Sequence, residues 1–478
     1  MSPNSRFEAV IGLEIHAQLK TESKIFSSDA THFDAGDNEN TSPISMGMPG
    51  SLPVINRKVV EYSIMTGLAL GCDIRKRSIF ARKNYFYPDL PKGYQISQYD
   101  EPICENGFLE FKLNGETKKI SITRAHMEED AGKSNHYGEY TLLNYNRAGI
   151  PLLEIVSGPD MTSPAEAAEY ARTMRQILRY LDVCDGNLEE GSLRCDCNVS
   201  VRLKGEKMLG TKVEIKNINS FRFVEKALEY EIDRQVDVIE GGGQIIQETR
   251  LWDPDKNKTT SMRTKENAMD YRYFPDPDLL PIVLTDEQIL KFRNSIPELP
   301  SQRVSRFIET FQLSEYDALA LTNEREIADY FEVAAAKSGN PKACANWVMT
   351  ELLRELNTHH LSITQSHINA QQLAELISLV DKGTISGKMA KSVFTEMWTT
   401  KKSASEIVKS KGMTQITDVT LIEQIVDKVM AENPSQVAEF RSGKEKVLGF
   451  FVGSCMKASR GQASPDVLNQ VLLKKLKG

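Results

Sequence analysis

Apolar residues occupy every odd position from Phe7 to Leu19. Polar Glu14, His16 and Gln18 occupy even positions of the same stretch. Because successive side chains of a strand point to opposite faces of a sheet, these three polar side chains share the face turned away from the core. A carboxylate beside an imidazole suits a metal ion, although a half-buried antiparallel strand with a solvated face has the same pattern.

Two later stretches alternate in the same way. From Leu193 to Leu203 every odd position is apolar. The polar face of that stretch carries Arg194, Asp196, Asn198, Ser200 and Arg202. Around Val213, the side chains of Lys212, Glu214 and Lys216 share one face of a shorter predicted strand. Acids and bases are therefore mixed on the polar sides of these strands.

A dense group of charges extends from Arg124 to His136. Its ionisable residues are Arg124, His126, Glu128, Glu129, Asp130, Lys133 and His136. Two explanations fit this charge beside predicted strands: a solvated antiparallel sheet with cross-strand ion pairs, or a basin in which acids hold Mg²⁺ and bases hold phosphate. The acids available to such a basin are Glu14, Glu129, Asp196 and Glu214, and the bases are Lys83, Arg124 and Arg202.

Two helices interrupt the strand-rich first part of the chain. Ser163, Pro164 and Glu166 have the pattern of a helix start with a capping box. A second helix follows Ser220 and ends at the glycines 241–243, because consecutive glycines cannot sustain a helix. Both helices have an apolar stripe at helical spacing, which indicates a structural role.

The second part of the chain has a different pattern. After the stretch 297–300 (PELP) the strand pattern fades, and stretches such as 343–356 and 371–380 have helical spacing. A turn-rich stretch from Lys402 to Gln415 precedes a last helical segment. The pattern predicts an α+β protein in three parts: a strand-rich domain at residues 1–294, a helical domain at 295–406 and a helical tail at 407–478.

The composition is that of an ordinary globular protein. Its 478 residues are 40% hydrophobic and 26% charged, which fits about two to four domains. No apolar run reaches the roughly 18 residues of a membrane span, and the first residues lack a signal-peptide segment, so we expect a cytoplasmic protein with no membrane partner. The seven cysteines lack framework spacing and favour reduced thiols; Cys195 and Cys197 fit core thiols better than a zinc site.

The formal net charge of −7 is unevenly distributed. From Ser435 to Gly478 the chain has eight basic and three acidic residues, a net charge of +5, so residues 1–434 carry −12. A basic tail on an acidic body is expected if the tail contacts a polyanion. A solvated, lysine-rich helix end explains the tail equally well.

Common nucleotide-binding and catalytic motifs are absent from the sequence. Gly132, Lys133 and Ser134 resemble the end of a P-loop, but that motif needs glycine at the position of Met127. The sequence also lacks GxGxxG, HExxH and GxSxG, which argues against dinucleotide enzymes, zincins and α/β-hydrolases. A phosphate site in this chain would therefore be atypical.

Two aromatic stretches combine rings with charges. The stretch 82–95 (RKNYFYPDLPKGYQ) has a composition that suits base stacking with phosphate contact. The interpretation we favour for it is a proline-pinned loop that buries its rings against the sheet. The stretch 270–278 (DYRYFPDPD) is too rigid and too polar for an ordinary strand and predicts an ordered crossing loop.

Eight segments of the sequence match, in order, motifs of one known family. They are IGLEIHAQL, RKNYFYPDLPKGYQISQ, HMEEDAGKS, NRAGIPLLEIVS, EEGSLRCDCNVSVR, VEIKNINSF, QETRLWD and DYRYFPDPDLLP. These segments resemble the family of B subunits of glutamine-dependent aspartyl/glutamyl-tRNA amidotransferases. The end of the chain, GKEKVLGFFVGSCMKASRGQASPDVLNQVL, is similar to the family's small helical tail domain, which is implicated in holding tRNA. The resemblance implies a mainly antiparallel β cradle, a helical domain and the tail.

The resemblance also implies a ligase that acts in a heterotrimer with an A subunit, which is a glutaminase, and a C subunit. In the implied reaction, ATP phosphorylates the side-chain carboxylate of misacylated Asp-tRNA(Asn) or Glu-tRNA(Gln). Ammonia from the A subunit then displaces the phosphate and gives the amide. ATP and Mg²⁺ are the implied cofactors. The glycine run at 241–243 has no serine nearby, so we expect no glutaminase activity from this chain alone.

Particular residues receive roles from the resemblance. It implies a Mg²⁺ site at Glu14, His16, Glu129 and Glu214, catalytic roles for Lys83 and Glu129, and nucleotide or phosphate contacts from Lys83, Arg202 and Lys216. The expected tRNA-binding residues of the tail are Lys444, Lys446, Lys457 and Arg460. Adjacent strand residues face opposite ways, so only one of Glu128 and Glu129 enters the basin unless the strand bulges, and we expect Glu129.

Two other functions compete with this one. In the first alternative, the chain is a non-catalytic tRNA-binding scaffold whose acids are structural. In the second, it is a metal-dependent nuclease or phosphatase, in which carboxylates hold two ions about 4 Å apart. The low histidine content and the length of the resemblance weigh against a nuclease.

Overall fold

The alternating stretch at the start of the chain forms one long strand, β1 (Phe7–Gln18). The structure is a computed structural model that describes residues 6–264, 268–413, 415–416, 418–459 and 461–477. It divides into two compact units, Met1–Pro300 and Ser301–Gly478. The odd-numbered apolar residues of β1 are buried and its polar residues are half-buried, as the alternation predicts.

The strands described lie in the first unit. After β1 they are β2 (Asp73–Ile74), β3 (Arg77–Ser78), β4 (Ala81–Asn84), β5 (Tyr94–Ser97), β6 (Cys104–Leu113), β7 (Glu116–Glu129), β8 (Lys133–Tyr137), β9 (Tyr140–Asn144), β10 (Pro151–Ser157), β11 (Leu193–Leu203), β12 (Val213–Lys216), β13 (Glu248–Asp253), β14 (Lys258–Thr264), β15 (Phe274–Pro275) and β16 (Ile282–Val283). The helices described in this unit are α1 (Arg57–Ala69), α2 (Pro164–Tyr180), α3 (Phe221–Glu240) and α4 (Asp286–Ser295), with a 3₁₀ helix at Ala268–Tyr271.

The main sheet has nine strands in the order β14-β13-β12-β11-β1-β10-β7-β6-β2. Neighbouring strands are antiparallel except β12 and β13, which run parallel. The central strand is therefore β1, with β10 on one side and β11 on the other. Smaller sheets have the orders β15-β4-β5, β16-β3 and β8-β9. This mainly antiparallel sheet, followed by helices, confirms the predicted α+β class.

One face of the main sheet is buried beneath α2 and α3. The predicted start of α2 is present, since Ser163 and Glu166 form a capping box, and Ser220 caps α3. The buried stripes are Tyr170, Ala171, Met174 and Leu178 of α2 and Val224, Leu228 and Ile232 of α3. Burying one such side chain contributes about 1.5–3 kcal/mol. This layer holds the sheet in place and leaves its opposite face to polar residues.

The second unit consists of helices in the part that the structure describes. With α5, which begins at the last residue of the first unit, they are α5 (Pro300–Phe311), α6 (Glu315–Leu321), α7 (Arg325–Ser338), α8 (Pro341–Trp347), α9 (Leu353–His359), α10 (Ala370–Asp381), α11 (Gly387–Thr400), α12 (Ala404–Lys411), α13 (Val419–Glu432), α14 (Pro434–Arg441), α15 (Leu448–Ala458) and α16 (Pro465–Lys477). A π-helical turn, Val348–Leu352, joins α8 to α9, and 3₁₀ turns lie at Ile363–Gln365 and Glu445–Val447. One apolar core extends from Phe307 to Val408 and another from Ile422 to Leu476. The predicted domain borders at 294 and 406 stay a prediction.

The stretch predicted to be rich in turns, 402–415, contains the helix α12 instead. Ser403 and Glu406 form a capping box at its start, and Ile407 and Val408 are buried in the core that begins at Phe307. A helix of eight residues is too short to be stable by its own propensity, so its packing decides the structure. Composition alone does not reveal that packing.

Two further predictions from composition concern the state of the cysteines and the presence of membrane-spanning helices. All seven cysteines are free and buried, as predicted for reduced thiols. Cys195 and Cys197 lie on the core side of β11, and neither belongs to a metal-ligating group among the described residues. Of the helices described, none is both long enough and apolar enough to cross a membrane.

Candidate active site

Strand pairing brings four polar side chains into one row across the main sheet. His16 of β1 lies opposite Arg194 of β11 on one side and Glu154 of β10 on the other. Glu154 in turn lies opposite His126 of β7. Since directly opposite residues of antiparallel strands project from the same face, all four occupy the polar face.

Three residues of this region form a compact group that we call the acid–histidine cluster: His16, Glu128 and Glu154. Their ligand atoms all lie within 4.8 Å of one another. The Nε2 atom of His16 is 3.3 Å from Glu154 Oε2 and 3.7 Å from Glu128 Oε1. Within the described ranges, no other group of three His, Cys, Asp or Glu side chains brings its ligand atoms this close.

The donor set of the acid–histidine cluster fits a divalent cation. Two carboxylates supply the oxygen ligands that Mg²⁺ prefers, and an imidazole adds a nitrogen ligand. Three protein ligands leave coordination positions for water or for the oxygens of a phosphate. The residues present therefore suit a metal that is shared with a phosphorylated substrate.

The charges of the acid–histidine cluster are strongly coupled. Burial disfavours the charged imidazole, but Glu154 and Glu128 outweigh it and raise the pKa of His16 to about 9. Burial and the neighbouring Glu154 raise the pKa of Glu128 to about 7. Burial also opposes ionisation of Glu154, yet His126 and His16 hold its pKa well below the usual range. At neutral pH the proton on His16 lies where a metal ion would bind, so metal binding must displace it.

His126 borders the cluster as a neutral ring. Burial lowers its pKa to about 4, and nearby cations add to this effect. Its Nε2 atom is 3.5 Å from Glu154 Oε2. Its Nδ1 atom is buried and has no hydrogen-bond partner among the described residues. The ring thus orients Glu154 without adding a positive charge that would repel a cation.

Arg194, at the other end of the row, is tied to Asp130. The guanidinium is 2.8 Å from Asp130 Oδ2, and Gln18 donates to the same oxygen at 3.2 Å. Burial raises the pKa of Asp130, but Arg194 and Arg147 outweigh it and lower the pKa. The charge of Arg194 is therefore largely neutralised within the protein.

A second group of acids lies beside the acid–histidine cluster on the same face. Lys216 Nζ is 2.6 Å from Asp196 Oδ2 and 3.7 Å from Glu214 Oε1. Asn198 donates to Glu14 Oε1 at 2.9 Å. Burial alone would lower the pKa of Lys216, but Asp196 and Glu214 raise it. Glu14 and Glu214, the metal ligands expected from the resemblance, therefore contact an amide and an ammonium group next to the cluster.

Glu129 lies on the opposite face of β7 from Glu128. Its Oε1 atom accepts hydrogen bonds from the Lys92 ammonium and, at 2.8 Å, from the backbone N–H of Ile96. Glu129, Lys92 and Lys24 line a cavity of about 70 Å³. The strand alternates regularly at this point, so one of two adjacent glutamates must leave the basin. The sequence-based choice of Glu129 differs from the structure, which places Glu128 beside His16.

Lys83 reaches the cluster from β4, outside the main sheet. Its ammonium is 4.8 Å from the ring centroid of Tyr271, a cation–π contact. Burial alone would lower the pKa of Lys83, but Tyr273 and the carboxylates of the acid–histidine cluster raise it. The predicted Lys83 is thus a cation that lies within electrostatic range of Glu128 and Glu154.

Arg202 is not part of this arrangement. It lies opposite Glu8, and its Nε atom is 2.7 Å from that carboxylate. Six residues of strand separate Arg202 from Asp196, a distance of about 20 Å. The predicted phosphate contact therefore lies far from the cluster.

The aromatic stretch after β4 is more exposed than expected. The side chains of Phe86 and Tyr87 are 79% and 42% exposed, so they are not buried against the sheet. Tyr85 is half-buried, and its ring meets that of Tyr271 edge-on at 6.0 Å. The burial expected for the rings of this loop is therefore wrong for Phe86 and Tyr87.

Glu154 is the member of the cluster that the sequence patterns did not single out. It occupies β10, whose neighbouring residues are almost all apolar. A lone acid in an otherwise apolar strand was the available signal. Only the pairing of β10 with both β1 and β7 shows why that acid is tolerated there.

The tail places its predicted tRNA-binding lysines at the surface. Lys444, Lys446 and Lys457 are all exposed. Lys444 also lies 3.4 Å from Glu439, a weak surface pair. Arg460 lies outside the described residues.

Comparisons with known proteins cover nearly the whole chain. A family model described as the GatB/GatE catalytic domain matches residues 9–290, and one described as the GatB domain matches residues 329–476. A relative from Bdellovibrio bacteriovorus is 67% identical over 472 residues, 98% of this chain and 99% of its own. Relatives from Thermodesulfovibrio yellowstonii and Geotalea daltonii are 56% and 55% identical, each over 99% of this chain and all of their own. All three are named as the B subunit of an aspartyl/glutamyl-tRNA(Asn/Gln) amidotransferase.

Proposed function

This chain belongs to the family of aspartyl/glutamyl-tRNA(Asn/Gln) amidotransferase B subunits, and from that premise we propose that its acid–histidine cluster activates a misacylated tRNA with ATP. A side-chain carboxylate oxygen of esterified Asp or Glu attacks the γ-phosphorus of ATP, and ADP leaves. Ammonia attacks the carbonyl carbon of the resulting acyl phosphate and loses a proton. Inorganic phosphate leaves, and the product is Asn-tRNA(Asn) or Gln-tRNA(Gln).

The observation that carries this proposal is the meeting of paired acids, an imidazole and a lysine at one place. His16, Glu128 and Glu154 lie within metal-binding distance of one another, and Lys83 lies within their electrostatic range. Phosphoryl transfer needs a cation-binding group and a base that meets the phosphate charge. A sheet face with a purely structural role would not require His16, Glu128 and Glu154 to converge. It would also not require Lys83, which lacks an ion pair in the described part of the chain.

The metal proposed for the cluster is Mg²⁺, held by His16, Glu128 and Glu154. Such an ion would neutralise charge on the phosphates of ATP. In this proposal Glu128 takes the ligand role expected of Glu129, because Glu128 contacts His16 and Glu129 contacts Lys92. His126 orients Glu154 from behind.

Other basin residues contribute to binding. Lys83 contacts the transferring phosphoryl group, since its ammonium has ring contacts and no carboxylate partner among the described residues. Lys216 bridges Asp196 and Glu214 at the side of the cluster, where it would meet the nucleotide. Glu14 and Glu214 form the outer acidic rim. Arg202 has no role in this proposal, because it is paired with Glu8.

The proposed partners follow from the family. Its members are parts of a multi-subunit amidotransferase, and we propose as companions of this chain an A subunit that releases ammonia from glutamine and a C subunit. The exposed lysines Lys444, Lys446 and Lys457 would contact tRNA phosphates. Neither the scaffold nor the nuclease is favoured, because the relatives are named amidotransferase subunits over nearly the full chain.

The test measures tRNA-dependent ATP hydrolysis by the assembled complex. We expect His16→Ala and Glu154→Gln to reduce this rate by about 100-fold or more, because each removes one of only three ligands. Both variants should still co-purify with the A and C subunits, which shows that the complex is assembled. Glu110→Gln, at an exposed pair with Lys119, serves as the matched control. Hydrolysis by both cluster variants at the control rate would overturn the proposed activation step.

A further inference from the structure

Most cations of the polar sheet face already have a carboxylate partner. The pairs are Lys216 with Asp196 at 2.6 Å, Arg194 with Asp130 at 2.8 Å and Arg202 with Glu8 at 2.7 Å. Arg124 of β7 differs, because in the described part of the chain it has neither an ion pair nor a hydrogen bond. The half-buried guanidinium of Arg124 is therefore available to bind an anion.

The strand register explains why Arg124 stays unpaired. Glu105 of β6 lies directly opposite Arg124. That carboxylate instead holds Arg75 at 2.6 and 3.3 Å, through two nitrogens of the guanidinium. On the other side of β7, Arg124 lies opposite the apolar Val156 of β10. Glu14 of β1 lies opposite Val156 on the far side of β10. Arg124 is therefore one strand position of the same face away from His126, at the edge of the acid–histidine cluster.

Tyr273 is a second polar group without a partner near the cluster. Its ring stacks on Tyr99 with centroids 4.2 Å apart and planes 7° from parallel. The backbone before it is fixed by Asn84, whose amide donates to the carbonyls of Tyr271 and Arg272 at 3.2 and 2.9 Å. Its hydroxyl makes no hydrogen bond to the described residues. The segment predicted as an ordered crossing loop therefore presents one fixed phenol.

Charges of both signs act on Tyr273, from the cations and from the cluster. Burial raises the pKa of Tyr273 to about 12; Lys83 and Arg124 act against this shift, and Glu128 and Glu154 add to it. The hydroxyl is therefore protonated at neutral pH and can donate a hydrogen bond. Lys83, Arg124 and Tyr273 all lie within electrostatic range of one another or of the cluster.

We propose that Arg124 and the Tyr273 hydroxyl, together with Lys83, form an anion-binding wall that contacts the phosphoryl group while it is transferred. This inference rests on the proposed function and adds two substrate-contacting residues to it. As the carboxylate oxygen bonds to the γ-phosphorus and the bridging bond to ADP breaks, charge spreads over the three equatorial oxygens. The forked guanidinium of Arg124 matches two such oxygens, and the phenol donates to a third.

The experiment compares Arg124→Gln, Arg124→Lys and Tyr273→Phe in the assembled complex. We expect Arg124→Gln to lower kcat for tRNA-dependent ATP hydrolysis by about 100-fold or more. Arg124→Lys keeps the charge and loses the fork, so we expect about a tenfold loss. Tyr273→Phe keeps the stack on Tyr99 and loses one donor, so we also expect about a tenfold loss. ADP affinity should stay within threefold in all variants, because the wall contacts the group that ADP lacks.

Controls separate this inference from the proposed function. Arg172→Gln, on the surface of α2 beside Glu169, and Tyr137→Phe, on the exposed hairpin β8-β9, should keep the unsubstituted rate. If Arg124→Gln no longer co-purifies with the A and C subunits, the rate of Tyr273→Phe decides between the two outcomes. Variant rates equal to those of the controls would overturn the wall. Absence of tRNA-dependent ATP hydrolysis in the unsubstituted complex would instead overturn the proposed function.

Discussion

Binding of a divalent cation to the acid–histidine cluster should strengthen with pH, because a proton and a cation compete for His16. Burial lowers the pKa of His16, but Glu154 and Glu128 outweigh burial and raise it to about 9. Below that pH the imidazole is charged and has no lone pair for a metal. Raising the pH removes the competing proton, so affinity should increase up to about pH 9.

The magnitude follows from the same pKa. Each pH unit below it reduces the neutral fraction of His16 about tenfold. Affinity for Mg²⁺ should therefore increase about 30-fold between about pH 7 and 8.5. Glu128, whose pKa is about 7, requires displacement of a second proton in more acidic solution. The dependence should thus become steeper as the pH falls below neutrality.

Isothermal titration calorimetry of the assembled complex measures this dependence. Titrations with Mg²⁺ at several pH values give the affinity, and buffers of different ionisation enthalpy give the number of protons released. We expect close to one proton per cation slightly above neutrality. His16→Gln lacks the titrating ring, so its affinity should vary by less than threefold over the same range. Glu110→Gln should retain the unsubstituted dependence.

Two results would refute this reasoning. An affinity that changes by less than threefold across the range would mean that no proton leaves the ligand set. A His16→Gln variant with the full pH dependence would mean that another group carries the proton. Either result would remove His16 from the proposed metal site.

The proton on His16 also stabilises the metal-free fold. Because the pKa of His16 is raised to about 9, this stabilisation is complete below about pH 6.5 and is lost as the pH rises through about 9. Chemical denaturation with and without Mg²⁺ should show a loss of about 3 kcal/mol across this range. Glu128→Gln should weaken Mg²⁺ binding more than tenfold in the calorimeter, whereas Glu129→Gln should change it less than threefold; the reverse order would restore Glu129 as the ligand. Ser403→Ala should lower unfolding free energy by about 1 kcal/mol through loss of the α12 cap, and no shift of the thermal midpoint would contradict that role. Lys444→Ala and Lys446→Ala should each reduce the salt dependence of tRNA binding by about one unit of slope, and an unchanged slope would place tRNA elsewhere.

Alternation was sufficient to predict the faces of the longest strands. β1 and β11 are central, and one face of each is fully buried, so a strict period of two appears in their sequences. The helix starts at Ser163 and Ser220 were equally visible, because capping uses local residues. These features depend on residues close together in the chain.

The composition of the cluster depends on residues far apart in the chain. Alternation does not encode which strands pair, so Glu154 could not be matched with His16 before the order β1-β10-β7 was seen. For the same reason Glu14 and Glu214 were grouped with His16, although they contact Asn198 and Lys216 beside the cluster.

The pair Glu128 and Glu129 shows a second limit. Past an irregularity near its middle, their strand pairs regularly with β10 from Arg124 to Glu129. Glu128 therefore shares a face with Arg124 and His126, and Glu129 lies on the other face. The choice of Glu129 came from the resemblance, and alternation alone does not tell which face of β7 meets His16.

Transfer of oxygen from the amino acid to phosphate tests the activation step most directly. The assembled complex would be given ATP, glutamine and misacylated tRNA whose side-chain carboxylate carries ¹⁸O, and the released phosphate would be analysed by mass spectrometry. Attack of the carboxylate on the γ-phosphorus predicts one ¹⁸O atom in each phosphate formed with the amide. Amide formation with unlabelled phosphate would contradict an acyl phosphate and, with it, the proposed role of the acid–histidine cluster.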